Sequence, residues 1–224
     1  MPVEHIIFIP AVFFLGFFLG GWFVRRIDQR KPAAGNELSS VSNNPVPTQK
    51  GPSGWSLMAA LAALISFFIA THLFPLFGGS KAISLVTSGQ RLFDQRPSFS
   101  DAEVYARLTD FGASGREMYL HFTYTTDVLF PLIFLVFLLL LGRYVSSRVP
   151  INNTFRKALW TLPLMWFAAD MLENAMVFNL LADYPARNDL LVNGLGVVTV
   201  LKFVLLALSI VAPLPCSVLF RKSH

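Results

Sequence analysis

Charge is what this chain has least of. Only 14% of its 224 residues are Asp, Glu, Lys or Arg, against about 25% in an ordinary soluble domain. With 54% hydrophobic residues and a mean hydropathy of +0.56, the composition is that of a membrane protein. Cysteine is nearly missing too. The single Cys216 excludes an internal disulfide framework and any C-x-x-C metal or redox site, and reads as a small apolar residue at a helix end. No His or Cys spacing suits a metal, no glycine loop suits a phosphate and no nucleophile elbow is present, so the sequence calls for no metal and no cofactor. A net charge of +5 and a pI near 9.6 could point to nucleic acid. The basic residues are scattered over short loops, however, which fits membrane topology and not a nucleic-acid partner.

What is present is a series of long apolar windows. Residues 4–24, 55–76, 118–141, 158–181 and 190–212 are each long enough to cross a bilayer core, which takes about 20 residues. They predict an all-α polytopic membrane protein of five transmembrane helices, an N-terminal anchor helix followed by a four-helix bundle. The first window has no basic n-region and no small-residue exit site, so it is expected to be retained as an anchor, residues 1–31. Gly16 and Gly20 form a G-x-x-x-G on it, a face that lets another helix approach closely. Residues 32–54 are rich in Pro, Ser, Asn and Gly, the composition of a flexible cytoplasmic linker. Residues 55–224 form the bundle.

Basic residues set the sidedness. Arg25, Arg26, Arg30, Lys31, Lys50, Arg143, Arg148, Arg156, Lys157, Arg221 and Lys222 fall on one side, with Asp28 and Glu37 the acidic residues there. Lys81, Arg91, Arg96, Arg107, Arg116 and Arg187 fall on the other, among acidic residues that include Asp101, Glu103 and Asp183. The expected placement is a bacterial inner membrane, with the N-terminus outside and the C-terminus in the cytoplasm. Asn152 opens an N-x-T sequon on the cytoplasmic side, where it is not glycosylated. The outer loop 78–117 contains one short extramembrane helix over residues 101–111: Ser100 and Glu103 make a capping box, Val104, Leu108 and Phe111 share a face, and Gly112 stops it. That helix is either a lid over a cavity or a cover for hydrophobic helix ends.

Four ionisable residues are left inside the apolar windows: Asp127, Asp170, Glu173 and Lys202. Asp170, Glu173 and Asn174 stand at i, i+3 and i+4, one face of a helix. The helical rise puts Asp127 about 13 Å below its interface, level with Glu173, and brings Lys202 level with Asp170 on an adjacent span. Leu120, Tyr124, Asp127 and Pro131 are spaced to share one side of the third span, and Leu195, Thr199, Lys202 and Leu206 one side of the fifth. A polar interior of Tyr124, Asp127, Asp170, Glu173, Asn174 and Lys202 follows, with His72 and His121 at its outer rim. Pro131 and Pro163 are expected to kink their helices, and the carbonyls they free to widen a cavity there.

The polar cluster has a structural reading, in which the ion pair fixes helix register, and a functional one. One lysine cannot neutralise three carboxylates, so at least one of them holds a proton or faces water or a cation. Three functions fit: a module binding or transporting a small solute, a lipid headgroup or a proton; an intramembrane enzyme modifying a lipid or isoprenoid; and an assembly or scaffold subunit. Besides the lipid bilayer, the expected partner is a second copy or another membrane subunit docked on Gly16 and Gly20.

Overall fold

A computed structural model describes residues 51–75 and 78–214. The predicted anchor, the Gly16 and Gly20 face, almost all of the linker and Cys216 lie outside the described residues. Those described form helices, with no strand among them. In chain order these are α1 (Gly54–Phe68), continued by a π-helical turn (Ile69–Leu73), α2 (Ser80–Val86), α3 (Asp101–Asp110), α4 (Gly112–Tyr124), α5 (Thr126–Ser146), α6 (Asn153–Ala182) and α7 (Asp189–Val211).

Local chemistry sets the starts. Ser53 caps α1 by accepting from the Ser56 N–H at 3.1 Å, Ser100 caps α3 from Glu103 at 3.3 Å and Asn152 caps α6 from Phe155 at 2.7 Å. Each satisfies an amide that a helix start leaves without a partner. The sequon asparagine is thus a helix cap. Gly112 ends α3 with φ +65°, a left-handed conformation that glycine takes without strain.

Three helical stretches are long and apolar enough to cross a membrane: Gly54–Leu73, Gly112–Ser146 and Asp189–Val211. They coincide with the second, third and fifth predicted windows. The longest helix, α6 with 30 residues, covers the fourth window but carries Arg156, Lys157, Asp170 and Glu173, and is not in that class. Five spans are therefore not what the described residues show; three membrane-capable helices are.

The helices pack in layers along the bundle. Leu57, Tyr144, Val145, Val149 and Leu159 form a core at one end, and Leu135, Leu138, Trp166, Ala169 and Leu205 a second in the middle. The third and largest, at the other end, joins Ile83, Leu92, Phe93, Val104, Leu108, Phe111, Tyr119, Phe122, Val192 and Leu195. Val104 and Leu108 are fully enclosed there, so α3 covers the ends of the long helices.

Both intrahelical prolines lie buried in continuous helices. Each removes the N–H that would have bonded the carbonyl four residues earlier, and in each case a neighbouring helix meets that carbonyl. Pro131 frees the Asp127 carbonyl, which accepts from Asn174 Nδ2 at 2.8 Å. Pro163 frees the Leu159 carbonyl, which lies where a side chain at Gly142 would begin, 3.0 Å from an added Cβ. Glycine there lets α5 and α6 close on each other.

Candidate functional site

The polar residues of α6 and α7 meet between the middle core and the large end core. Lys202 Nζ lies 3.1 Å from Asp170 Oδ1 and also pairs with Glu173 Oε2. The other Glu173 oxygen lies within hydrogen-bond distance of the Thr199 hydroxyl, whose single proton is shared between it and the Leu195 carbonyl within α7 at 2.9 Å. Glu173 is 1% exposed, Lys202 5% and Asp170 6%, so these charges face one another and not the surroundings. An ammonium shared by two carboxylates in a dry interior leaves the group short of positive charge. Asp170 Oδ2 is buried with no hydrogen-bond partner among the described residues.

Asp127 joins through its backbone, the Asn174 bond to its carbonyl, while its half-buried carboxyl lies within electrostatic reach of Asp170, Glu173 and Lys202. The structure thus brings together five of the residues singled out from sequence: Asp127, Asp170, Glu173, Asn174 and Lys202.

Tyr124 and His121 are not among them. Tyr124 is 49% exposed, bonds His121 Nδ1 and sets its ring against Phe178, 6.2 Å between centroids. The single-helix reading of residues 118–141 fails at Thr125, whose φ −117° and ψ −91° break α4 from α5. The threonines around the break satisfy local carbonyls with their own hydroxyls, Thr123 to Leu120 at 2.7 Å and Thr125 to His121 at 2.6 Å, which competes with helix continuation. Across the break the spacing from Tyr124 to Asp127 no longer places both on one side. His121 and Thr125 instead line, with Glu117, Met118 and Phe122, an open cleft of 430 Å³.

His72 sits on the π-helical turn. Its Nδ1 is 2.8 Å from the Thr71 hydroxyl, and its ring stacks on Phe68 at 4.5 Å and approaches Phe130 at 5.2 Å. It is within electrostatic reach of Asp94.

Asp94 is the residue that sequence reasoning missed. It belongs to loop 88–99, yet its carboxylate reaches His72, Asp127, Asp170, Glu173 and Lys202 electrostatically. The preceding pair explains the position: Leu92 and Phe93 are 1% and 0% exposed and carry the loop into the end core. Phe93 N–H donates to the Tyr119 hydroxyl at 3.0 Å. Arg107 of α3 fastens the rest, donating to the carbonyls of Arg91 at 2.8 Å, Leu92 at 2.9 Å and Arg96 at 2.6 Å and to the Ser98 hydroxyl. Burial pulls this guanidinium down from its ordinary value, but an arginine stays charged in a protein. One Asp94 oxygen is itself buried without a hydrogen-bond partner among the described residues. Two adjacent apolar residues in the middle of the loop, Leu92 and Phe93, were the available signal.

The site is therefore two α6 carboxyls held on one α7 ammonium, with the carboxyls of Asp127 and of Asp94, which is also within electrostatic reach of Arg107, close enough to act on it. The chain matches no protein-family model, no curated protein and no solved structure.

Proposed function

We propose that this chain is an integral membrane protein whose buried carboxyl cluster takes up and releases a proton, exchanged with the side that loop 88–99 closes. The observation that carries the reading is that the buried Asp170 and Glu173 share the Lys202 ammonium, with the half-buried Asp94 and Asp127 carboxyls within electrostatic reach of it. One ammonium balances one negative charge, and unpaired carboxylates in a low-dielectric interior cost several kcal/mol each unless protonated, hydrated or paired. A carboxyl kept as the acid is the group a proton relay uses.

The membrane placement includes α6. That helix buries Asp170, Glu173 and Asn174 and exposes Leu164 at 48%, Met165 at 55%, Leu172 at 53% and Phe178 at 37%. Polar residues inward and apolar residues outward is the arrangement expected where lipid is the solvent. In the same reading the membrane is a bacterial inner membrane, and the α5–α6 junction, with Arg143, Arg148, Arg156 and Lys157, faces the cytoplasm. Contact between two copies through Gly16 and Gly20 would give the small bundle a second half.

An enzyme on a lipid or isoprenoid needs an apolar pocket beside the acid. Enclosure of Glu173 at 1% exposure leaves that carboxyl no open face for a lipid and favours the proton reading.

Infrared difference spectra of the protein in lipid nanodiscs, between acidic and neutral buffer, test it. The expected result is a protonated-carboxyl band that disappears on titration and is altered in Asp127→Asn or Glu173→Gln. Spectra without any carboxylic-acid band, or with one unchanged in both variants, would sink the reading.

A further inference from the structure

At the opposite end of the bundle from Asp94, between the end of α5 and the start of α6, lies a cavity of 370 Å³ lined by Gly51, Arg143, Ser146, Ser147, Arg156 and Trp160. The volume is within the range of about 300–1,000 Å³ that small-molecule sites occupy. Its walls are built rather than incidental. Arg148 donates to the Pro52 carbonyl at 3.1 Å and lays its guanidinium 3.7 Å from the Tyr144 ring centroid, which ties the chain before α1 to the α5 terminus. Gly51 lies so close to α5 that an added Cβ would fall 1.9 Å from Ser147 Oγ. The two serine hydroxyls donate inward to their own helix, Ser146 to Gly142 at 2.7 Å and Ser147 to Tyr144 at 2.9 Å.

Among the described residues the wall of this cavity holds two arginines and no acid. From 128 to 169 the sequence contains no Asp or Glu, while it contains Arg143, Arg148, Arg156 and Lys157. Neither the Arg143 nor the Arg156 guanidinium makes a hydrogen bond or an ion pair among the described residues. Arg143 and Arg156, both exposed, line the same concave wall, and the forked donors of a guanidinium match the oxygens of a phosphate. Trp160 on the rim, 38% exposed, is the residue type that marks the level of lipid headgroups. α5 is one of the membrane-capable helices, so its end brings the cavity to the bilayer surface.

From these observations we propose that the Arg143–Arg156 cavity holds the phosphate group of an anionic phospholipid, with Trp160 against the glycerol region. Basic pockets between helices at a membrane surface recognise anionic headgroups in this way, each nearby basic residue contributing about 1 kcal/mol. The site is independent of the carboxyl cluster and of the proton reading.

The test is native mass spectrometry of the full chain released from detergent, titrated with phosphatidylglycerol or with phosphatidylcholine. Phosphatidylglycerol is expected to bind tighter, and Arg143→Gln/Arg156→Gln to weaken it by about 30-fold, the equivalent of about 2 kcal/mol for two basic groups. Arg143→Lys/Arg156→Lys keeps the charge without the fork and should retain part of the preference. Thermal melting of each variant separates loss of binding from loss of fold. Equal binding of the two lipids, or an unchanged preference in the folded glutamine variant, would overturn the proposal. Displacement of the lipid by inorganic phosphate alone at matched concentration would overturn the lipid source and leave a free-anion site.

Discussion

Lys202 Nζ and Asp170 Oδ1 lie 3.1 Å apart on neighbouring helices, and the same ammonium also holds Glu173. All three side chains are under 10% exposed, so the lysine cannot be removed without stranding two carboxylates. Lys202→Met is expected to lower stability by about 3–5 kcal/mol, the cost of breaking a buried pair from one side. The double variant Asp170→Asn/Lys202→Met should recover part of that loss, because it removes one stranded charge. Denaturation of the three proteins in the same detergent measures this, and a Lys202→Met protein as stable as the parent would contradict it.

Asn174 serves a carbonyl that Pro131 leaves without a helical donor. Asn174→Leu should therefore cost about 1–3 kcal/mol, the range for orphaning a buried polar group. Restoring a backbone N–H with Pro131→Ala in the Asn174→Leu background should return stability, since the Asp127 carbonyl regains its donor. Thermal melting of the two single variants and the double decides it. Additive losses would show that the two positions are not linked through that oxygen.

Arg107 holds loop 88–99 through three carbonyls and the Ser98 hydroxyl. Arg107→Gln cannot span that set, and hydrogen bonds to a charged donor contribute about 1.5–3 kcal/mol each. The expected outcome is faster amide exchange confined to residues 91–98, accompanied by a change in the carboxyl infrared band as Asp94 leaves the cluster. Unaltered exchange in that segment would mean that Leu92 and Phe93 alone hold the loop.

Gly196 and Gly194 offer a matched pair on α7. A Cβ at Gly196 would meet the Ser98 carbonyl oxygen and Phe99 Cδ1, each at 2.5 Å, whereas one at Gly194 would meet the mobile end of Met176 at 3.0 Å. Gly196→Ala is expected to displace the chain at 98–99 and to cost about 1–3 kcal/mol through overpacking. Gly194→Ala should be close to neutral. Equal melting temperatures for the two would contradict the close approach of the loop to α7.

Much of the helical frame was legible because apolar windows of this length admit few other structures. The cap of α3 was legible from Ser100 and Glu103, and the pairing of Lys202 with Asp170 from their matched heights on adjacent windows, whereas the second contact of Lys202, to Glu173, was not, because the heights set Glu173 level with Asp127. Lys202 and Thr199 do share the buried side of α7 with Leu195, as their spacing predicts. Tyr124 was misplaced because the spacing rule assumes an unbroken helix, and the Thr123–Thr125 hydroxyls break it by bonding locally. Asp94 was not legible at all, since its path into the bundle depends on Arg107 gathering carbonyls from residues distant in sequence, and no periodicity encodes that. The anchor window and the Gly16 and Gly20 contact lie outside the described residues.

The dependence of α6 on α7 reaches back to how the chain is made. In the membrane placement proposed here, α6 emerges from the ribosome carrying Asp170 and Glu173 before Lys202 exists to meet them. Alone in hydrocarbon, acidic groups at a helix centre cost about 2.5–3.5 kcal/mol each on insertion scales. The two helices are joined by only six residues, 183–188, so they are suited to leave the translocon as one hairpin, its acids already matched to their base.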